Sequence, residues 1–300
     1  MISLMYILMA LLMAPFLQGI VNRTKAFFAG RQGQPLLQSY FDLYKLVCKD
    51  AVYSRTTTWI FKASPIIGLA CMLAALMFLP AGPYPALVHF ECDIILFVYL
   101  FGLMRFFIVL AALDTGSGFE GMGASREVFF SALAEPALVF GVATLARRAE
   151  SISLSGLFGP AAACALPILA LVAVSLFIVF LAENSRIPID DPNTHLELTM
   201  IHEVMILDYS GPDLALVLYA AALKFWILGA LMVNIFLAFI GLDGPAVIPV
   251  FAAGMIILAV IVGIVESAMA RLRFLKVPQL LVGAGVLSAL AFALVLRLNG

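Results

Sequence analysis

The chain has 300 residues, 64% of them hydrophobic and 12% charged, with a formal net charge of −1. A soluble domain usually carries about 25% charged and 45–50% apolar residues, so an ordinary soluble fold is excluded. The near-neutral balance also leaves no basic surface for nucleic acid.

The apolar residues fall into runs long enough for a helix, rising about 1.5 Å per residue, to cross the hydrocarbon. Eight such spans are expected, at 1–21, 59–80, 94–113, 127–146, 160–182, 213–240, 245–270 and 277–297. The first has no basic residue ahead of its apolar run, so it reads as a retained span and not as a cleaved leader. In the loop that follows, Leu36 to Asp50 reads as an amphipathic helix. Asp42, Lys45 and Lys49 lie on one face of it, and Leu36, Tyr40, Leu43, Tyr44 and Val47 on the other. Such a helix suits the membrane interface. Pro and Gly punctuate many span ends, among them Pro80, Gly82 and Pro83 after the second span.

Twelve Lys and Arg residues fall on the odd-numbered loops and three on the other side, which places the odd loops in the cytoplasm and both termini outside. The substantial loops, 22–58, 114–126 and 183–212, then share the cytoplasmic face and suggest a docking surface for a soluble partner. The expected fold is therefore all-α: a polytopic membrane protein of about eight transmembrane helices with long cytoplasmic loops and an interfacial amphipathic helix, in a single transmembrane domain over residues 1–300.

Four ionisable residues fall within spans: Arg105, Glu135, Lys224 and Glu266. The rise per residue puts the first three at depths of about 12, 12 and 16 Å. Charges of mixed sign at one level in lipid should find each other. They form either a buried chain that moves a proton or an ion pair that locks helices together. Pro136, directly after Glu135, frees a carbonyl beside the carboxylate. Glu266, about 6 Å from the inner face by the same rise, reads as partly solvated and within reach of Arg271 or Arg273.

The stretch Glu183 to Asp213 holds seven acids, Glu183, Asp190, Asp191, Glu197, Glu203, Asp208 and Asp213, against Arg186. Asp191–Pro192 reads as a helix start and Gly211–Pro212 as its stop, with His195 and His202 on one face. A zinc HExxH motif fails, because Val204, Met205 and Ile206 follow His202-Glu203, so no metal is expected. A solvated acidic face and a proton-loaded surface beneath a redox partner both fit, since clustered carboxylates raise one another's pKa. Cys48, Cys71, Cys92 and Cys164 are widely separated, which argues against an iron–sulfur cluster held by this chain alone.

The segment 113–127, LDTGSGFEGMGASRE, resembles a third-loop signature of the ion-translocating membrane subunit of group 4 [NiFe] hydrogenases, of the formate hydrogenlyase and hydrogenase-4 type. More distantly, the whole chain is similar to NADH dehydrogenase subunit 1 of respiratory complex I. Further agreement comes from RQGQPLLQSYFDLYKL at 31–46, AENSRIPIDD at 182–191 with LDYSG at 207–211, and ESAMARLRF at 266–274. The resemblance implies a plasma-membrane anchor that carries no cofactor and has no catalytic centre. It would sit beneath a [4Fe–4S] small subunit and a hydrogenase-like NiFe large subunit, beside antiporter-like membrane subunits, coupling redox chemistry to proton or sodium movement. By motif position, Asp114, Glu120, Arg126 and Glu127 belong to the third-loop constellation and Glu135 to the helix after it. Glu183, Arg186, Asp190, Asp191 and Glu197 belong to the acidic fifth loop, where His202-Glu203 is an addition relative to complex I.

Gln34 stands between Gly33 and Pro35, where the family usually joins Gly to Pro, and this departure weighs against a quinone chamber around Arg31. The alternatives are the quinone-binding subunit of a complex I-like NADH:quinone oxidoreductase and a stand-alone transporter. The transporter reading lacks the repeat between chain halves that such proteins often show.

Overall fold

The computed structural model describes residues 2–158, 166–190, 201–241, 244 and 246–298. In chain order the helices are α1 (Ile2–Phe28), α2 (Gln38–Val47), α3 (Trp59–Met77), α4 (Asp93–Asp114), α5 (Gly118–Ala149), α6 (Leu166–Glu183), the single turn α7 (His202–Met205), α8 (Gly211–Ile240), α9 (Val247–Ala268) and α10 (Val277–Leu298). Eight of them are long and apolar enough to cross a membrane, and they correspond one to one with the spans expected from the sequence. Residues Asp191, His195 and Glu197, with the helix start at Asp191–Pro192, lie outside the described residues, as does Cys164.

Helix α8 is the axis of the bundle. It buries 72% of its most apolar window, against 28–44% in the other spans, and α1, α2, α3, α6 and α9 all pack on it. Trp226, Phe225 and Leu223 are fully enclosed at its centre. Lipid tails are as apolar as leucine, so close packing and dispersion between side chains hold such helices together, with little help from water exclusion. A second group forms where α10 lies against α5 and α6, and α3 pairs with α4.

Two boundaries differ from the sequence reading in ways that shape the inner face. The expected loop 114–126 is almost all helix, since α5 begins at Gly118 and only residues 115–117 separate it from α4. Gly118, Gly121 and Gly123 read as loop by propensity, but Gly123 lets α5 approach the α7 segment closely. A Cβ there would lie 2.9 Å from the Ile201 carbonyl oxygen. Tertiary packing overrides local preference. Gly211–Pro212, expected to end a helix, instead opens α8: proline's fixed φ suits the first turn, where its missing N–H costs no hydrogen bond. Gly211 adopts φ +55°, and a Cβ there would press to 2.6 Å from the Asp50 carbonyl oxygen, so the turn requires glycine.

Helix α2 forms inside the stretch predicted as amphipathic, with no residue buried. Phe41, Tyr44 and Val47 are exposed, while the Tyr40 hydroxyl donates to the Leu12 carbonyl of α1.

Candidate functional site

Four helices bring charged side chains to one place. Arg105 on α4 reaches Glu135 on α5 at 2.8 Å and Glu183 at the end of α6 at 2.5 Å, and its Nε lies 3.7 Å from Glu127 of α5. The second carboxylate oxygen of Glu183 meets Lys224 of α8 at 2.8 Å. Three of the four intramembrane charges expected from the sequence fall here or directly on this network, as the depth argument requires. Their meeting point is Glu183, which the sequence assigns to the loop: its side chain is 7% exposed and bridges the two cations. Glu135, expected to be deep, has a side chain 53% exposed. It sits at the edge of the cluster.

A cavity of about 60 Å³ opens between these groups, walled by Arg105, Glu127, Glu183, Lys224, Arg186 and His202. At about 10–15 Å³ per water it accommodates a few water molecules. Ligand pockets for drug-sized molecules run to about 300–1,000 Å³.

Arg186 continues the network toward the inner rim. Its guanidinium lies 3.4 Å from Glu266 of α9 and over the Phe225 ring, 5.4 Å from its centroid. Lys25 near the end of α1 meets the other Glu266 oxygen at 2.9 Å. The expected partners of Glu266, Arg271 and Arg273, are replaced by Lys25 and Arg186, because α9 ends at Ala268 and the chain then turns away in extended backbone. Arg271 pairs instead with Asp190 at 2.9 Å.

Several predicted site residues hold the scaffold. The Asp190 carboxylate accepts from the backbone N–H groups of Ile201 (3.0 Å) and His202 (3.4 Å), fixing the start of α7. Glu120, 1% exposed, accepts from the Asp208 N–H at 3.2 Å. Asp114 accepts from the Thr58 N–H at 2.6 Å and the Thr58 hydroxyl at 3.0 Å, ordering the start of α3. The Arg126 guanidinium stands over the Phe274 ring at 5.1 Å, and Arg31 borders a separate open cavity. His202 is held below its ordinary pKa, first by burial and then by Lys224, while the adjacent Glu203 opposes this. Burial pushes the Tyr209 phenol upward, and its hydroxyl donates to the Phe61 carbonyl at 2.9 Å as the two rings stack. Among the described residues no three His, Cys, Asp or Glu side chains form a group that could hold a metal ion.

Eight apolar helices that enclose paired charges in their interior and at one rim define a polytopic membrane protein. A family model described as NADH dehydrogenase matches residues 1–297, and the chain belongs to that family. It is 29% identical over 287 residues to formate hydrogenlyase subunit 4 of Escherichia coli (strain K12), covering 89% of each chain. It is 31% identical over 277 residues to hydrogenase-4 component C of the same organism, covering 89% of this chain and 86% of that one. The fold matches a chain in the structure of the membrane-bound sulfane sulfur reductase, an archaeal respiratory membrane complex. That match has a TM-score of 0.82 and 20% identity over 98% of each chain. The relatives are membrane subunits of hydrogenase and complex I-like respiratory complexes, as the motif resemblance implied.

Proposed function

We propose that this chain is the membrane anchor of a multisubunit group 4 [NiFe] hydrogenase-like complex and couples its electron transfer to movement of a proton or sodium ion. The hydrophilic arm, with a [4Fe–4S] small subunit and a hydrogenase-like large subunit, docks on the face that presents α2, α7 and the ends of α5 and α6. Antiporter-like membrane subunits lie alongside. Both termini face outward, by the Lys and Arg distribution.

The observation that carries the reading is the charge balance around Glu183. Three carboxylates, Glu127, Glu135 and Glu183, meet two cations, Arg105 and Lys224, and all of these but Glu135 line a cavity of water size that Arg186 also borders. Acids and bases coupled this closely beside a water-sized cavity take up or release a proton or cation when a neighbouring redox group changes state. Arg186, at the wall of the same cavity, ties the cluster to the rim pair of Glu266 and Lys25. A quinone-binding role is less well supported. The cavity at the cluster is small, and the larger one beside Arg31 sets Lys25, Arg31 and Glu266 among its walls, where drug-sized ligands meet mostly apolar side chains.

The test is the purified assembly. Nickel should co-purify with a large subunit, and Glu183→Gln should remove redox-driven cation uptake into vesicles while electron transfer through the hydrophilic arm persists. A nickel-free assembly that reduces quinone, or unchanged uptake in the variant, overturns the reading.

A further inference from the structure

At the inner end of α1 the structure builds a second, larger cavity that adjoins the coupling network at Lys25 and Glu266. It measures about 570 Å³ and is lined by the last turns of α1 and α9 and by the loop at residues 31–34. That loop is folded back onto α1: the Arg31 N–H donates to the Ala26 carbonyl at 3.0 Å, and Arg23 donates to the Gly33 carbonyl at 3.2 Å. Gly30, at φ +64°, makes the reversal. The cavity wall is therefore held in place by hydrogen bonds to the helix it borders.

The lining is cationic. Lys25 and Arg31 face Glu266, the one acid among the lining residues. Glu266 is already shared by Lys25 and Arg186, and its side chain is fully enclosed. Positive charge is thus in excess here, and Asn22, Gln32, Gln34 and Ser267 add neutral polar groups around the same space.

Depth decides what would supply an anion. Helix α1 has 27 residues, so at 1.5 Å each it is about 40 Å long, roughly 10 Å more than the hydrocarbon. Its apolar run ends at residue 21, so the excess lies at the inner end, and Asn22 to Phe28 stand at headgroup level. Phe27 is 78% exposed, and Phe28, which lines the cavity, is 55% exposed. Cations at headgroup depth beside exposed apolar side chains match a phosphate attached to acyl chains.

We infer that this cavity binds the phosphate of an anionic phospholipid from the leaflet on the long-loop side, with Arg31 as its principal contact. Arginine suits the role because its planar fork donates two parallel hydrogen bonds to phosphate oxygens. The lipid would stand beside Lys25 and so border the outer end of the coupling network.

The experiment uses the intact assembly in vesicles with a photoactivatable phosphatidylglycerol carrying its reactive group near the headgroup. Expected is labelling of residues 22–34 above that by the matching phosphatidylcholine probe. Each unit of charge lost at the site should lower labelling about fivefold, so Arg31→Gln lowers it about fivefold and Arg31→Glu further. Gln32→Glu, which adds a negative charge without removing the arginine, should give a similar loss and covers the case in which the Arg31 variants fail to assemble. Equal labelling by the two lipids, labelling unchanged in the variants, displacement by excess inorganic phosphate, or displacement by a quinone analogue overturns the proposal. The last two would assign the cavity to a soluble anion or to a redox ligand.

Discussion

The deep cluster around Glu183 and the rim cluster around Glu266 are built from the same residue types with opposite balance. The deep one places Glu127, Glu135 and Glu183 against Arg105 and Lys224. The rim places Lys25, Arg186 and Arg271 against Glu266 and Asp190. Counted by ion-pair partner, with Arg186 assigned to Glu266, the first is one negative charge in excess and the second one positive. An acid-rich group inside the bundle attracts a mobile cation, whereas a base-rich group at the rim attracts anions from outside. Arg186 belongs to both, since it walls the deep cavity and touches Glu266. The pair therefore forms a polarised path, with one end suited to holding the transported charge and the other to anchoring.

The sharpest way to break this comparison is to neutralise each acid at the centre of its cluster. Glu183→Gln leaves Arg105 and Lys224 facing each other without their bridge, and removing one member of a buried pair costs about 3–5 kcal/mol. It should lower the thermal stability of the assembly and reduce cation uptake to background. Lys224→Met, which leaves Glu183 paired to Arg105 alone, should also abolish uptake but preserve assembly. Glu266→Gln should cost less stability, because Lys25 has a side chain 22% exposed and water can solvate it. If Glu266→Gln stops uptake as completely as Glu183→Gln, the two clusters are one functional unit and the division fails.

The eight spans are legible in the sequence because each is a local property of composition: about twenty apolar residues announce themselves without reference to the rest of the chain. The level at which Arg105, Glu135 and Lys224 meet is also legible, because helical rise is constant. Which partner each charge takes is not. Glu183 directly follows an apolar run and opens the acidic stretch, so it reads equally as loop or core, and only the approach of α4 and α8 decides. The rise argument places Glu183 at the inner end of its span, about 16 Å from the depth of Lys224, and so gives no signal of their meeting. For Glu266 the sequence offers arginines close by in the chain, yet its partners come from α1 and from the segment after α6, 80 or more residues away. Gly211–Pro212 misleads for a related reason, since the same dipeptide ends one helix or begins the next, and the proximity of Asp50 selects the second.

A smaller effect separates scaffold from path. Asp114, assigned by motif to the coupling set, caps α3 through Thr58. Asp114→Asn should weaken that cap by about 1 kcal/mol, with cation uptake unchanged once assembly is normalised. Loss of uptake in a fully assembled Asp114→Asn variant would return it to the path.

The mildest expected effect is a pH dependence confined to α7. His202 is held below its ordinary value of 6.5, so it is neutral in the folded segment. As pH falls through about 6.5, the unfolded segment takes up a proton that the folded one resists, and the local stability of α7 declines. Hydrogen exchange at residues 201–210 should therefore quicken between about pH 7 and about pH 5.5, more than the intrinsic pH dependence of exchange allows. His202→Gln should remove that excess while the Asp190 carboxylate still holds the start of the turn through the N–H groups of Ile201 and residue 202. If the excess survives the substitution, the acid sensitivity comes from the carboxylates that tie the segment, Asp190 at its start and Glu120 at Asp208. The division between a charge-holding centre and a passive inner cap would then need to be redrawn around them.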